Sequence, residues 1–168
     1  MLKLVKTATL AAALLLGGCA GFGRTLPAPG DPTEVVRQKM GQPTAVYPGA
    51  GGDAQVLEYA TGPMGQFTWM AHIGPDGRLR TVEQVLSGEH FARIAVGSAT
   101  KQEVLRTIGR PAETSRVGMN NYEVWSYRYK ESGVWNSMMH VHFDQAGVVR
   151  QMLNGPDRMF EERRFFID

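Results

Sequence analysis

Hydrophobic and polar positions along this chain follow patterns that change from segment to segment. Residues 8–16 are Ala, Leu and one Thr, an unbroken apolar run behind Lys3 and Lys6. Residues 20–30 are mostly Gly, Pro and Ala, with single Phe22, Arg24, Thr25 and Leu26 and no periodicity, which reads as a tether. Two stretches then carry apolar residues four apart, Val36 with Met40 and Val104 with Ile108, the narrow buried stripe of a short helix. Each is followed by three alternating runs that predict strands: 55–60, 66–73 and 79–86, then 122–129, 137–143 and 148–153. A further short helix is expected over 88–93.

Local chemistry sharpens the ends of these elements. Asp31 with Glu34, and Thr100 with Glu103, have the spacing of a capping box, and Pro32 suits a first helical position. Gly41 and Gly109 stand where a left-handed helix stop is wanted, and Pro43 and Pro111 prevent resumption. Gly74-Pro75-Asp76-Gly77 and Asp144-Gln145-Ala146-Gly147 read as tight hairpin turns. Side-chain alternation aims Leu57, Tyr59, Phe67, Trp69 and Ile73 at the helices, as it does Trp125, Tyr127, Met139, Val141 and Phe143. Met70, His72, His140 and His142 should face the other way.

The landmarks repeat in register. Met40-Gly41-Gln42-Pro43 returns as Ile108-Gly109-Arg110-Pro111, and Tyr59 returns as Tyr127. His72, Gly77 and Arg80 return as His142, Gly147 and Arg150. The expected fold is therefore α+β, two tandem helix-plus-three-stranded antiparallel sheet repeats. The boundaries read as a signal over 1–18, a tether over 19–30, a first repeat over 31–86, a second over 87–154 and a tail over 155–168. In that tail Met159, Phe160, Phe166 and Ile167 could form one helical stripe.

The apolar run of residues 8–16 is too short for a bilayer span, which needs roughly 20 residues, so it reads as a removed secretory signal. It ends in Leu16-Gly17-Gly18-Cys19, with the chain's single cysteine. Small residues directly before a cysteine resemble the lipobox of bacterial lipoproteins. That resemblance implies that Cys19 carries lipid and becomes the mature N-terminus, although a plain signal cut near Ala20 fits as well. By the sorting pattern of the lipoproteins it resembles, Ala20 after the cysteine implies the outer membrane, periplasmic face. With Cys19 lipidated, no disulfide is available and stability must come from an ordinary core. The eighteen Lys and Arg fall to sixteen when Lys3 and Lys6 leave, matching the sixteen Asp and Glu. A near-neutral chain argues against a nucleic-acid partner.

Catalytic patterns are thin. His140 and His142 could share a metal, with His72 at the equivalent place in the first copy, but a site needs three or four ligands and companions are absent. No serine sits in a nucleophile context and no glycine-rich phosphate loop occurs. The expectation is a non-enzyme without metal or cofactor. The surface expected to meet a protein partner is the helix-free sheet face, carrying Met70, His72, Arg80, Val124, Arg128, His140, His142 and Arg150. Apolar, imidazole and guanidinium groups suit protein recognition there.

A short capped helix ending in Gly-x-Pro, then antiparallel strands, behind a lipobox, resembles the SmpA/OmlA (BamE-like) family of small outer-membrane lipoproteins. Residues 30–43 and 97–111 carry the resemblance, together with the strands behind them. It implies a periplasm-facing module for protein binding or scaffolding in envelope maintenance, with outer-membrane protein assembly as the process. The duplication departs from that family's single unit and resembles β-lactamase inhibitor proteins, which leaves a periplasmic inhibitor or ligand-binding protein as the alternative. The implied partners are the membrane, through the lipid, and a periplasmic or outer-membrane protein.

Overall fold

The computed structural model describes residues 26–118 and 121–161. Helix α1 (Thr33–Met40) leads into strands β1 (Ala45–Pro48), β2 (Gln55–Ala60), β3 (Thr68–Ile73) and β4 (Leu79–Gln84). Helices α2 (Gly88–Ala92) and α3 (Lys101–Ile108) precede β5 (Glu113–Val117), β6 (Tyr122–Glu131), β7 (Trp135–Phe143) and β8 (Val149–Pro156). A short helix α4 (Arg158–Glu161) follows. The strands form two antiparallel four-stranded sheets, β1-β2-β3-β4 and β5-β6-β7-β8. The fold is α+β and duplicated, with four strands per sheet where three were expected.

The added strands are β1 and β5, each placed between the Gly-x-Pro helix stop and the first expected strand. Both are edge strands. β1 is four residues long and ends in Pro48, and β5 is exposed along its whole length. β5 has no buried face to impose alternation, and β1, though it turns Ala45 and Tyr47 inward, is too short at four residues to leave a readable period-two signal.

The duplication extends to irregularities. The register slips between His72 and Ile73 in one sheet and between His142 and Phe143 in the other. Isolated bridges join Pro32 to Arg78 and Thr100 to Val148, again at matching places. The two helix starts differ. α3 has the full capping box, Thr100 accepting from the Glu103 amide and Glu103 accepting from the Thr100 amide. α1 has Pro32 at its N-cap and no side-chain cap. Asp31 turns away, accepting from the Ala28 amide at 3.0 Å and from Lys39 at 2.8 Å. Gly41 and Gly109 have φ of 88° and 79° with ψ near −164° and −163°. That is not the expected left-handed helical stop but an extended positive-φ conformation that only glycine adopts readily.

Each sheet buries one face under its helices. Val36 meets Leu57, Tyr59, Ala71, Ile73 and Leu79, with Trp69 packed alongside. Val104 and Ile108, with Phe91 and Ile94, meet Trp125, Tyr127, Tyr129, Val141 and Phe143. Phe67 departs from the alternation reading: it precedes β3 and is exposed.

The opposite face of the first sheet is not open either, because the second repeat sits on it. The end of α3 reaches Glu58 and Thr68, and the Arg110 amide donates to Glu58 Oε2 at 3.2 Å. A Cβ at Gly109 would lie 2.9 Å from Thr68 Cγ2 and 3.0 Å from Glu58 Oε2. Gly109 is thus fixed by close approach as well as by φ, whereas a Cβ on Gly41 would meet nothing within 4 Å.

Candidate functional site

The eight residues expected on one open face divide into two groups with different surroundings. On the first sheet, Met70 is buried with Val56 and Val85, and Tyr47 packs against them. His72 lies 2.7 Å from Asp53 and 3.2 Å from Glu83, one contact through each ring nitrogen. Glu83 also lies 3.1 Å from Nε2 of His90, whose Nδ1 is 2.8 Å from the Ser87 hydroxyl. Arg80 closes the other end, donating to Asp53 at 2.8 Å. This polar chain runs from the loop before β2, across β3 and β4, to the start of α2. Ser87 is the N-cap of α2 and accepts from the His90 amide. Glu83, His90 and Asp53 drew no attention in the sequence because they are far apart along it and share no motif.

On the second sheet, Val124, Arg128, His140 and His142 do share the face turned away from the helices. Val124 pairs with His142, Ser126 with His140 and Arg128 with Met138 across β6 and β7. Val124 and Arg128 are nevertheless buried, as Met70 is on the first sheet. These three are corrections to the expected open face. Arg128 is a structural cation: it donates to the Pro63 carbonyl at 2.7 Å, pairs with Glu113, and lies 3.1 Å from the buried Asp157 carboxylate. Arg150 leaves the shared set by pairing with Asp144 at 2.7 Å.

His140 and His142 are half-buried and stay available. His140 Nδ1 lies 2.8 Å from the Ser126 hydroxyl. Burial pushes the His140 pKa below the ordinary imidazole value, against a smaller upward pull from Glu113. Burial lowers that of His142 too, and its neighbour His140 lowers it further. Both effects favour neutral rings at neutral pH. Leu153, opposite His140, is exposed, and Gln151, opposite His142, is exposed beside it. The result is an uncharged strip of imidazole, amide and apolar groups across the central strand β7 and the edge strand β8. It can hydrogen-bond and bury surface without desolvating a charge.

A second feature lies where the repeats meet. Glu58 is fully buried and accepts from Tyr47, from Thr44 at 2.9 Å and from the Arg110 amide. Burial first, then the hydrogen bond to Glu58, raises the Tyr47 pKa far above its ordinary value. Gln66 donates to Asn136 at 2.9 Å, adding a second link between the repeats. A cavity of about 200 Å³ opens beside Glu58, lined also by Pro63, Phe67, Arg110 and Arg128. Nothing in the sequence of β2 marks Glu58 as the receiver of a distant helix end.

Among the described residues, no group of three or more His, Cys, Asp or Glu is arranged to hold a metal ion. Among the same residues, no helix is long and apolar enough to cross a membrane. Cys19, and Phe166 and Ile167 of the tail, lie outside the described residues; Met159 and Phe160 are in α4.

Comparison with known proteins adds the following. No curated protein matches the chain. A DUF4309 family protein (YjgB) from Bacillus subtilis aligns with 15% identity over 81% of this chain and 84% of its own, at a TM-score of 0.32. A putative β-lactamase inhibitor protein from Streptococcus mutans aligns with 14% identity over 80% of this chain and 88% of its own, at a TM-score of 0.30. Residues 83–152, from the end of β4 through both helices and into β8, match the family model of the outer membrane protein assembly factor BamE domain. The second half of this duplicated fold is BamE-like.

Proposed function

We propose that this protein is a lipid-anchored binding module on the periplasmic face of the outer membrane, serving outer-membrane protein assembly and not catalysis. The observation that carries this reading is the BamE-domain match over residues 83–152, which spans both helices of the second repeat and its sheet up to Met152. Its partner surface is the uncharged strip of β7 and β8, with His142 and Leu153 at its centre. Val124 and Arg128 support that strip from within. Their partners are intramolecular, so they shape the surface and do not meet the partner themselves.

Anchoring rests on Leu16-Gly17-Gly18-Cys19 behind a short apolar run. Two or more acyl chains hold a protein to a bilayer, at about 0.8 kcal/mol per buried methylene. Labelled palmitate should enter the wild type and be absent from Cys19→Ala. Equal labelling in both would rule out this anchor.

The binding role makes a separate prediction. Affinity purification of the wild type from solubilised membranes should retain proteins of the outer-membrane assembly apparatus. His142→Ala combined with Leu153→Ser should lose them while leaving the circular dichroism spectrum intact, because both side chains lie outside the two main cores. Retention at wild-type levels by the double variant would move the binding surface elsewhere.

A further inference from the structure

Four large apolar side chains are exposed on two neighbouring loops at one end of the molecule. Met64 is 61% exposed and Phe67 42%, on the loop between β2 and β3. Val134 is 65% exposed and Trp135 64%, at the turn of the β6–β7 hairpin. The loops are held together: Gln66 donates to Asn136, and Arg128, on β6, donates to the Pro63 carbonyl. The β6–β7 hairpin is longer than its counterpart. Ala60 pairs with Thr68 at the last step of the first hairpin. The second continues past the matching Arg128–Met138 pair through Tyr129–Ser137, Lys130–Asn136 and Glu131–Trp135. Three extra pairs carry Trp135 roughly 10 Å outward. A solvated turn has no use for Val and Trp at such a tip, and clustered exposed apolar groups mark an interaction surface.

We propose that these two loop tips rest in the lipid surface to which the chain is anchored. The proposal rests on the lipid anchor at Cys19. Three observations favour lipid over a protein partner. First, the chain arrives from the anchor at this end: Leu26, itself exposed, shares a groove with Ala60, Thr61 and Trp69, at the base of the loop that bears Met64. From Cys19 to Leu26 the backbone spans at most about 25 Å, so this end stays near the bilayer.

Second, the chain leaves the described part at the same end. The Asp157 amide donates to the Asn136 carbonyl, next to Trp135, and α4 begins there. The sequence beyond it, Glu162-Arg163-Arg164-Phe165-Phe166-Ile167-Asp168, sets two cations beside three apolar groups between flanking acids, a mixture that an interface can hold. Third, the polar groups around the tip suit an interface. Trp favours the boundary between acyl chains and headgroups. Lys130 reaches the Val134 carbonyl. Glu131 is turned back from the tip, accepting from Ser137 at 2.7 Å and from Asn154 at 2.9 Å.

The test uses the full lipidated chain reconstituted into excess phosphatidylcholine vesicles, with or without lipid brominated on its acyl chains. Brominated lipid should quench the tryptophan emission of the wild type. In a Trp69→Phe background, which removes the half-buried tryptophan of the Leu26 groove, the quenching should persist, and there it should vanish on adding Trp135→Phe, since the remaining Trp125 is buried under α3 and cannot report lipid. Met64→Asp combined with Val134→Asp, which keeps Trp135, should also lose it. Emission untouched by brominated lipid in the wild type overturns the proposal. A Trp135 shielded from iodide in native membranes but not in vesicles would place a protein there and overturn it equally. Vesicle flotation reads the anchor separately. A chain that floats with unquenched Trp135 keeps the anchor and contradicts the loop-tip contact alone, whereas a chain that fails to float contradicts lipidation at Cys19 and, with it, the proposal.

Discussion

Replacing Arg128 with alanine should cost about 3–5 kcal/mol of folding free energy, the range for breaking a buried ion pair by removing one partner. The Arg128 side chain is 8% exposed and the Asp157 side chain 1%. Removing the guanidinium would strand the Asp157 carboxylate, whose other recorded contact is the Met159 amide at 3.1 Å. It would also release the Pro63 carbonyl and hence the loop of the first repeat. Asp157→Asn should cost less, because Arg128 keeps Glu113 and Pro63. The double variant Arg128→Ala with Asp157→Asn should cost less than the sum of the two, since the stranded charge is gone. Urea unfolding followed by circular dichroism measures all three. An Arg128→Ala change below about 1 kcal/mol, the scale of exposed pairs, would mean that Arg128 is free for a partner after all.

Glu58→Ala should cost about 2–4 kcal/mol, because unsatisfied buried polar groups cost roughly 1–3 kcal/mol each. Three donors lose their acceptor together: the Tyr47 hydroxyl, the Thr44 hydroxyl and the Arg110 amide. The Thr44 hydroxyl still reaches the Glu58 main-chain carbonyl at 3.1 Å, so the loss falls mainly on Tyr47 and Arg110. Glu58→Gln preserves shape and one acceptor oxygen and should recover most of the loss. The effect should also be visible in cooperativity. With the junction intact the two sheets should unfold in a single transition; in Glu58→Ala the halves should begin to separate. Wild-type halves that already melt independently would count against a junction that couples them.

The parts of this fold legible in the sequence are those where one buried face imposes a period. β2 was read to its ends, and the helices were placed by Val36 with Met40 and Val104 with Ile108, because each packs a narrow stripe on a sheet. β1 and β5 bury too little to leave that trace. Phe67 matched the alternation of β3 but precedes the strand and emerges on a loop. Glu103 capped its helix as its spacing predicts, whereas Asp31, at the equivalent place, found Lys39 and the Ala28 amide instead. Local motifs state a possibility that a neighbouring charge can redirect.

The candidate surface shows the same boundary between local and distant information. Alternation correctly turned Met70, His72, His140 and His142 away from the helices. It could not show that α3 of the second repeat covers part of the first sheet's outer face, or that Pro63 and Asp157 bury Arg128. Both coverings come from residues more than twenty-five positions distant. What survives as accessible, His142 with Gln151 and Leu153, lies on central and edge strands of the BamE-like half. The proposal that this face meets a protein rests on that position and chemistry together.

The central claim is that this face engages the outer-membrane assembly apparatus, and a photo-crosslinking residue placed at position 142 in intact cells tests it most directly. A control probe belongs at position 38, on the exposed side of α1 in the first repeat. The account predicts crosslinks from position 142 to an outer-membrane assembly protein, and none of comparable yield from position 38. Crosslinks from position 38 alone, or from neither position while the protein remains folded and membrane-bound, would contradict it.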